Sequence, residues 1–166
     1  MEFLDIVNEK DEVIGREERN KAHDKHLLHR ASHVIIVNNK NQILLQLRKS
    51  TKKQYPLYWS SSVAGHASSG ETAKECALKE TEEEIGIKTD FEFVGKFIVN
   101  DSVEHEMVSV FFGRSVGPFH FLEREIEKAE FFDIERLRKE KDQIKMTPHC
   151  KKALELVLDK YFSHQL

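Results

Sequence analysis

The stretch from Gly65 to Ile87 constrains this chain more than any other. It runs Gly65-His66-Ala67-Ser68-Ser69-Gly70-Glu71 and ends Lys79-Glu80-Thr81-Glu82-Glu83-Glu84-Ile85-Gly86-Ile87. A glycine loop therefore precedes a segment with helix signals. Thr72 followed by Glu75 fits a capping box and predicts a helix start near Ala73. Gly86 fits the C′ position that ends a helix. Between them lie no prolines or glycines, only good helix formers. At 100° per residue, Glu80, Glu83 and Glu84 fall within an arc of about 100°, whereas Glu75 and Glu82 point toward solvent. Two like charges four residues apart cost about 0.2–0.5 kcal/mol in an isolated helix, so three on one arc suggest a compensating cation. Hard carboxylate oxygens with room left for water and phosphate suit Mg²⁺ or Mn²⁺. Glu82-Glu83-Glu84 alone reads as a solvated acidic helix end. The wider spacing changes that reading.

The full pattern is Gly, five residues, Glu, eight residues, Glu, two residues, Glu-Glu, one residue, Gly and an aliphatic residue. Gly65, Glu71, Glu80, Glu83, Glu84, Gly86 and Ile87 fill these places. This resembles the Nudix box, the signature of the Nudix hydrolases. At ~7% per position, its six exact matches coincide by chance on the order of once in 10⁷ start points. The resemblance implies a metal-dependent hydrolase that cleaves a diphosphate linkage, in a nucleoside diphosphate joined to another group or in a related organic diphosphate. It implies Glu80 and Glu84 as metal ligands, with Glu83 as a further ligand or water-orienting base. Mg²⁺ is the implied cofactor, with Mn²⁺ as an alternative. Gly65, Glu71, Lys79 and Gly86 take the structural positions of the box.

Two positions depart from the family pattern. Lys79 stands where the family has arginine, and Thr81 where it has an aliphatic residue. Arginine is a planar fork that holds a carboxylate by two bonds, whereas lysine is a point charge. Thr81 lies about 100° from Glu80 on the wheel and can use its methyl for packing. Neither change removes a ligand, so both bear on efficiency rather than on the fold.

A length of 166 residues suits a single domain with its own core. A net charge of −3 argues against a broad nucleic-acid footprint. Two cysteines, Cys76 and Cys150, form neither a disulfide framework nor a zinc pattern. The absence of a leader or an apolar run predicts a cytoplasmic protein with no membrane partner. The expected partner is a small-molecule diphosphate, and nothing chooses between monomer and homodimer.

Strand and helix signals alternate along the chain. Glu2 to Ile6 and Val13-Ile14 predict a hairpin within an N-terminal extension, residues 1–28. Arg16 to His26 reads as a short helix or a loop. His33 to Asn38 and Gln42 to Arg48 predict paired strands. Lys49 to Tyr58 is a basic, aromatic loop, and Trp59 to Ala64 a strand feeding the glycine loop. Asp90 to Val99, Glu106 to Phe112 and Glu127 to Phe132 read as strands, followed by a helix from Ile134 to about Lys141. Thr147-Pro148 opens a last helix, within 146–164, with Pro at N1 and an apolar face from Ala153 to Phe162. A mixed sheet between helices fits this order and the α/β/α sandwich that the resemblance implies.

Asp5-Ile6-Val7-Asn8-Glu9, His29-Arg30-Ala31, Tyr55-Pro56, Trp59 and Thr147-Pro148 narrow the likeness. They are similar to a branch that holds the type I isopentenyl-diphosphate isomerases and related bacterial Nudix hydrolases. In the isomerases a catalytic cysteine precedes Gly-His, and Ala64 stands there in this chain. His29, His66, Glu104 and Glu106 match the isomerase metal site, and His23 or His26 supplies the remaining histidine. Glu106 doubles as a candidate general base. Arg48 and Lys53 match a basic run that holds the diphosphate. The branch leaves three functions: a diphosphate hydrolase, an isomerase-like enzyme, or a non-catalytic ligand sensor on the same scaffold.

Overall fold

The computed structural model describes residues 1–163. Strands β1 (Phe3–Val7) and β2 (Val13–Glu18) form the N-terminal hairpin and lead into α1 (Arg19–Asp24). Strands β3 (His29–Val37), β4 (Gln42–Arg48), β5 (Trp59–Ser60) and β6 (Val63–His66) precede α2 (Ala73–Ile85). Strands β7 (Glu92–Asn100), β8 (His105–Arg114) and β9 (Ile126–Asp133) are followed by α3 (Ile134–Glu140) and α4 (Pro148–Tyr161). The strands join in one mixed sheet with β3 at its centre.

β3 pairs antiparallel with β6 and parallel with β8, so neither edge is free. Its apolar run is buried on both faces, as a central strand requires. Alternation then divides the core. Ile35 and Val37 pack with Leu154 and Val157 of α4, while Val34 and Ile36 pack with Ala77 and Ile85 of α2. Each such buried side chain contributes roughly 1.5–3 kcal/mol. One helix on each face gives the α/β/α sandwich.

The box helix forms within its expected bounds. Thr72 Oγ1 accepts from the Glu75 amide, and the Glu75 carboxylate accepts from the Thr72 amide. Gly86 ends the helix in the left-handed region at φ 71°. A Cβ there would also sit 3.0 Å from that of His120, because residues 115–125 fold back on this end of the helix. Their amides reach its carbonyls, His120 to Ile85 and Leu122 to Glu84.

Three elements differ from the sequence reading. β3 begins at His29 rather than His33, because its backbone continues to pair with β6 and β8 through residues too polar to read as strand. The stretch expected as one strand from Trp59 splits into β5 on β4 and β6 on β3. The Ser62 hydroxyl bridges the split, donating to the Leu44 carbonyl and accepting from the Ile36 amide. Residues 16–26 divide between the end of β2 and α1, which Glu18 caps. The last helix ends at Tyr161, and residue 164 of its expected span lies outside the described residues.

The left-handed turn at Gly86 generates a first prediction. Gly86→Ala loses about 1–2 kcal/mol of stability, because the new Cβ meets both a left-handed backbone and His120. An unchanged urea midpoint would contradict this account.

Candidate functional site

A cleft of about 230 Å³ opens where the C-terminal end of α2 meets β3, β6 and β8. One wall carries the box. Glu80 is half-buried and Glu83 is exposed on the rim, whereas Glu84 is only 8% exposed. Gly65 lets Glu80 in: a Cβ there would lie 2.5 Å from the Glu80 carboxyl carbon. Glu84 is oriented by Gln46, whose Nε2 donates to Oε1 at 2.9 Å. Burial pushes the Glu84 carboxyl well above its ordinary range, and neighbouring Glu80 adds to the rise. Burial also raises Glu80, with the Glu83 charge behind it. A crowded, partly buried set of hard oxygens is the donor chemistry a divalent cation fits, since its charge offsets both burdens.

The remaining box residues brace this wall. Lys79 Nζ lies 3.0 Å from Glu71 Oε2, and Glu71 Oε1 accepts from the Ser68 amide. Lysine thus keeps the loop contact expected of arginine, through one point of charge. Thr81 is buried and its hydroxyl donates to the Ala77 carbonyl, so it stays out of the cleft.

The opposite wall gathers histidines. The rings of His23, His29 and His66 have centroids 4.9–5.1 Å apart. One ligand atom from each, with one from Glu104, lie within 4.8 Å of one another. His29 Nδ1 faces the Leu27 carbonyl and His23 Nδ1 the Arg19 carbonyl. A carbonyl only accepts, so both Nδ1 atoms carry the proton and both Nε2 atoms are left for the cluster. The Nε2 atoms of His23 and His29 and Oε2 of Glu104 are buried with no hydrogen-bond partner among the described residues. Convergent orphan donors of this kind fit a cation. Glu106 Oε2 approaches His66 Nε2 at 3.0 Å and His29 Nε2 at 3.5 Å. Burial opposes the Glu106 charge, yet contacts with His149, His29 and His66 hold its carboxyl well below the usual range.

The two candidate histidines of the N-terminal segment part company. His23 joins the cluster, while His26 bonds Asn100 and stacks on His105 outside it. Glu104 is buried, and the Asp101 carboxylate accepts from its amide.

The basic loop presents its cations unequally. Arg48 lines the cleft, but its Nε and Nη2 both donate to the Gln54 carbonyl. Lys53 is exposed and is not a lining residue. Lys52, paired with Glu125, and Arg124 line the cleft. The loop turns through left-handed backbone at Tyr55 and Leu57, positions that no residue type in the loop marks in advance. Ala64 lines the cleft where the isomerases have their thiol. Cys76 Sγ lies 3.6 Å from the Gly65 carbonyl. It remains buried behind the strand, its thiol pushed up to about 12, and does not line the cleft.

Sequence reasoning passed over Gln46, Arg124 and His149. Gln46 left a signal, as the one amide in an otherwise aliphatic stretch from Ile43 to Leu47. Arg124 and His149 left none that separates them from surface residues.

Fold and cleft together define a mixed α/β sandwich with an acidic helix end facing a histidine–carboxylate cluster. Residues 27–150 match the NUDIX domain, and the chain belongs to the Nudix family. It is 32% identical to the uncharacterized Nudix hydrolase YfcD of Escherichia coli over 156 residues, 93% of this chain and 86% of that one. It is 28% identical to the isopentenyl-diphosphate Δ-isomerase of Serratia proteamaculans over 144 residues, covering 84% and 80% of the two chains. The crystal structure of DR0079 from Deinococcus radiodurans superposes with a TM-score of 0.78 at 25% identity, covering 96% of this chain and 99% of that one. No helix among the described residues is long and apolar enough to cross a membrane.

The buried carboxylate carries a stability prediction. Because the folded state raises the Glu84 pKa, the cation-free protein loses stability as pH rises from the usual carboxylate range toward the raised value. Glu84→Gln removes that loss and keeps the Gln46 bond. The variant melts a few degrees higher at pH 7.5 in chelator, at roughly 2–4 °C per kcal/mol for this size. A lower melting temperature would contradict the assigned burial cost.

Proposed function

We propose that this Nudix protein hydrolyses a diphosphate linkage, in a nucleoside diphosphate joined to another group or in a related organic diphosphate, with Mg²⁺ or Mn²⁺. One observation carries the reading: Glu80, Glu83 and Glu84 open onto the same cleft as Arg48, Lys52 and Arg124. Carboxylates alone repel a diphosphate, and cations alone bind it without cleaving it. Together they separate the two tasks.

Glu80 and Glu84 would hold the cation, with Glu83 as the third carboxylate. A divalent cation held there supplies charge neutralisation at phosphate oxygens and makes water a stronger nucleophile near neutral pH. Gln46 fixes the direction of Glu84. Glu83, exposed on the rim, is free to orient a water and accept its proton. Lys52 and Arg124, which line the cleft, would meet phosphate oxygens, and the guanidinium of Arg48 holds the basic loop through the Gln54 carbonyl. The leaving group is selected by walls outside the box.

Glu83→Gln and Glu84→Gln should each fold and each lower hydrolysis by at least about 100-fold on a panel of nucleoside and isoprenoid diphosphates with Mg²⁺. Mg²⁺ should also raise the wild-type melting temperature more than that of either variant. Undiminished turnover in both variants would remove the assignment. Lys52→Ala, by contrast, should raise KM more than it lowers kcat.

A second reading has its own observation. The His23, His29, His66 and Glu104 cluster favours an isomerase-like enzyme with a cation on that wall. Moving a carbon–carbon double bond needs one group to protonate an alkene carbon and another to remove a proton. Glu106 can serve as one, but Ala64 has no proton to exchange. No interconversion of isopentenyl and dimethylallyl diphosphate is therefore expected. Deuterium entering either compound from heavy water, above a metal-free control, would favour the isomerase reading instead.

A further inference from the structure

His149 belongs to neither the box nor the histidine cluster, yet it reaches the centre of the cleft. It is the second residue of α4, after Thr147 and Pro148, and is only 4% exposed. Its Nε2 lies 2.6 Å from Glu106 Oε1, a close polar contact rather than an aligned hydrogen bond, and it is buried with no hydrogen-bond partner among the described residues. The ring is held on two sides. His33 stacks parallel to it at 5.4 Å and 2°, and the Tyr55 ring meets it edge-on at 5.9 Å. His33 is itself fixed, its Nδ1 hydrogen-bonded to Ser61 Oγ at 2.8 Å. Tyr55 is fixed by its hydroxyl on the Asp101 carboxylate.

The stack also has a charge logic. Burial, with His149 beside it, pushes the His33 imidazole down to about 3, so it stays neutral across the working range. A neutral ring lies against His149 without repelling it.

We propose that His149 is a positioning residue for Glu106: it engages Oε1 and so turns Oε2 toward His29 and His66. The carboxylate has two oxygens and a free terminal torsion. Without a partner on Oε1, it can rotate away from the histidines. With one, the same oxygen faces the cluster at all times. This division of the carboxylate gives α4, which otherwise packs against the sheet, a part in the chemistry of the cleft. The assignment rests on the cleft being the working site, as above, and its test does not require the substrate or the cation to be known.

The test uses the full chain in chelator at one fixed pH, with ¹⁵N imidazole spectra of His29 and His66. His149→Phe keeps the stacked ring and removes its nitrogen. His149→Gln keeps a donor. The Phe variant should shift the Nε2 signals of His29 and His66, and the Gln variant should return them most of the way. In a Glu106→Gln background, His149→Phe should add nothing, because effects that pass through one group do not sum. Signals unmoved by His149→Phe, or shifts that add in the double variant, would overturn the proposal. If the Phe variant fails to fold, the Gln variant decides: signals near wild type support the role, and signals displaced as far as in Glu106→Gln refute it. Where turnover is measurable, His149→Phe should lower kcat by about 10–100-fold with little change in KM, the range for partners that orient a site group. Loss of hydrolysis in every variant and in wild type would refute the hydrolase reading while the spectra still decide this one.

Discussion

Strand β3 hydrogen-bonds β6 along one edge and β8 along the other, and its register with both decides which side chains meet in the cleft. His29 lies beside Glu106, and Ala31 beside His66. A one-residue slip on either edge would turn the displaced set to the opposite face of the sheet. The register is held by the apolar half of β3, from Val34 to Val37, which locks into both core layers. The polar half can therefore spend its side chains on chemistry.

That arrangement concentrates groups that repel or resist burial. Glu80, Glu83 and Glu84 crowd one wall, and Glu104 and Glu106 lie buried in the other. The protein offsets the second set with histidines from three elements, α1, β3 and β6, and with His149 from α4. Among the described residues, the first set has no cationic side chain in contact save Lys79, 4.0 Å from Glu80. The uneven compensation is the physical reason the box wall suits a divalent cation.

The cleft is framed by tethers far from it in sequence. Asp5 accepts from the Ser69 hydroxyl and the Gly70 amide, joining the hairpin to the box loop. Asp11 draws in Arg30 and Lys96, linking the hairpin to β3 and β7. Residues 115–125 dock on the last carbonyls of α2 and present Arg124 and Glu125. Each tether uses a surface residue that is unremarkable in the sequence, because its partner lies on another element.

The sequence by itself determined what local chemistry determines. Thr72, Glu75 and Gly86 set the bounds of the box helix, and a wheel placed Glu80, Glu83 and Glu84 on one side of it. Thr147 and Pro148 set the start of α4, and the alternation of Gln42 to Arg48 set β4. The Gly-to-Ile spacing indicated the family, and the branch likeness named His29, His66, Glu104 and Glu106. Tertiary structure decided the rest. It extended β3 back to His29, because pairing on both edges outweighs four residues of weak strand character. It selected His23 over His26, since only α1's packing on the hairpin tells which histidine turns inward. It put Lys52 rather than Lys53 on the cleft, because the left-handed backbone at Tyr55 and Leu57 sets how that loop turns. It brought His149 to Glu106 from the start of the last helix. A one-dimensional pattern records periods and caps, but it carries no information on which surface of an element a distant element will cover.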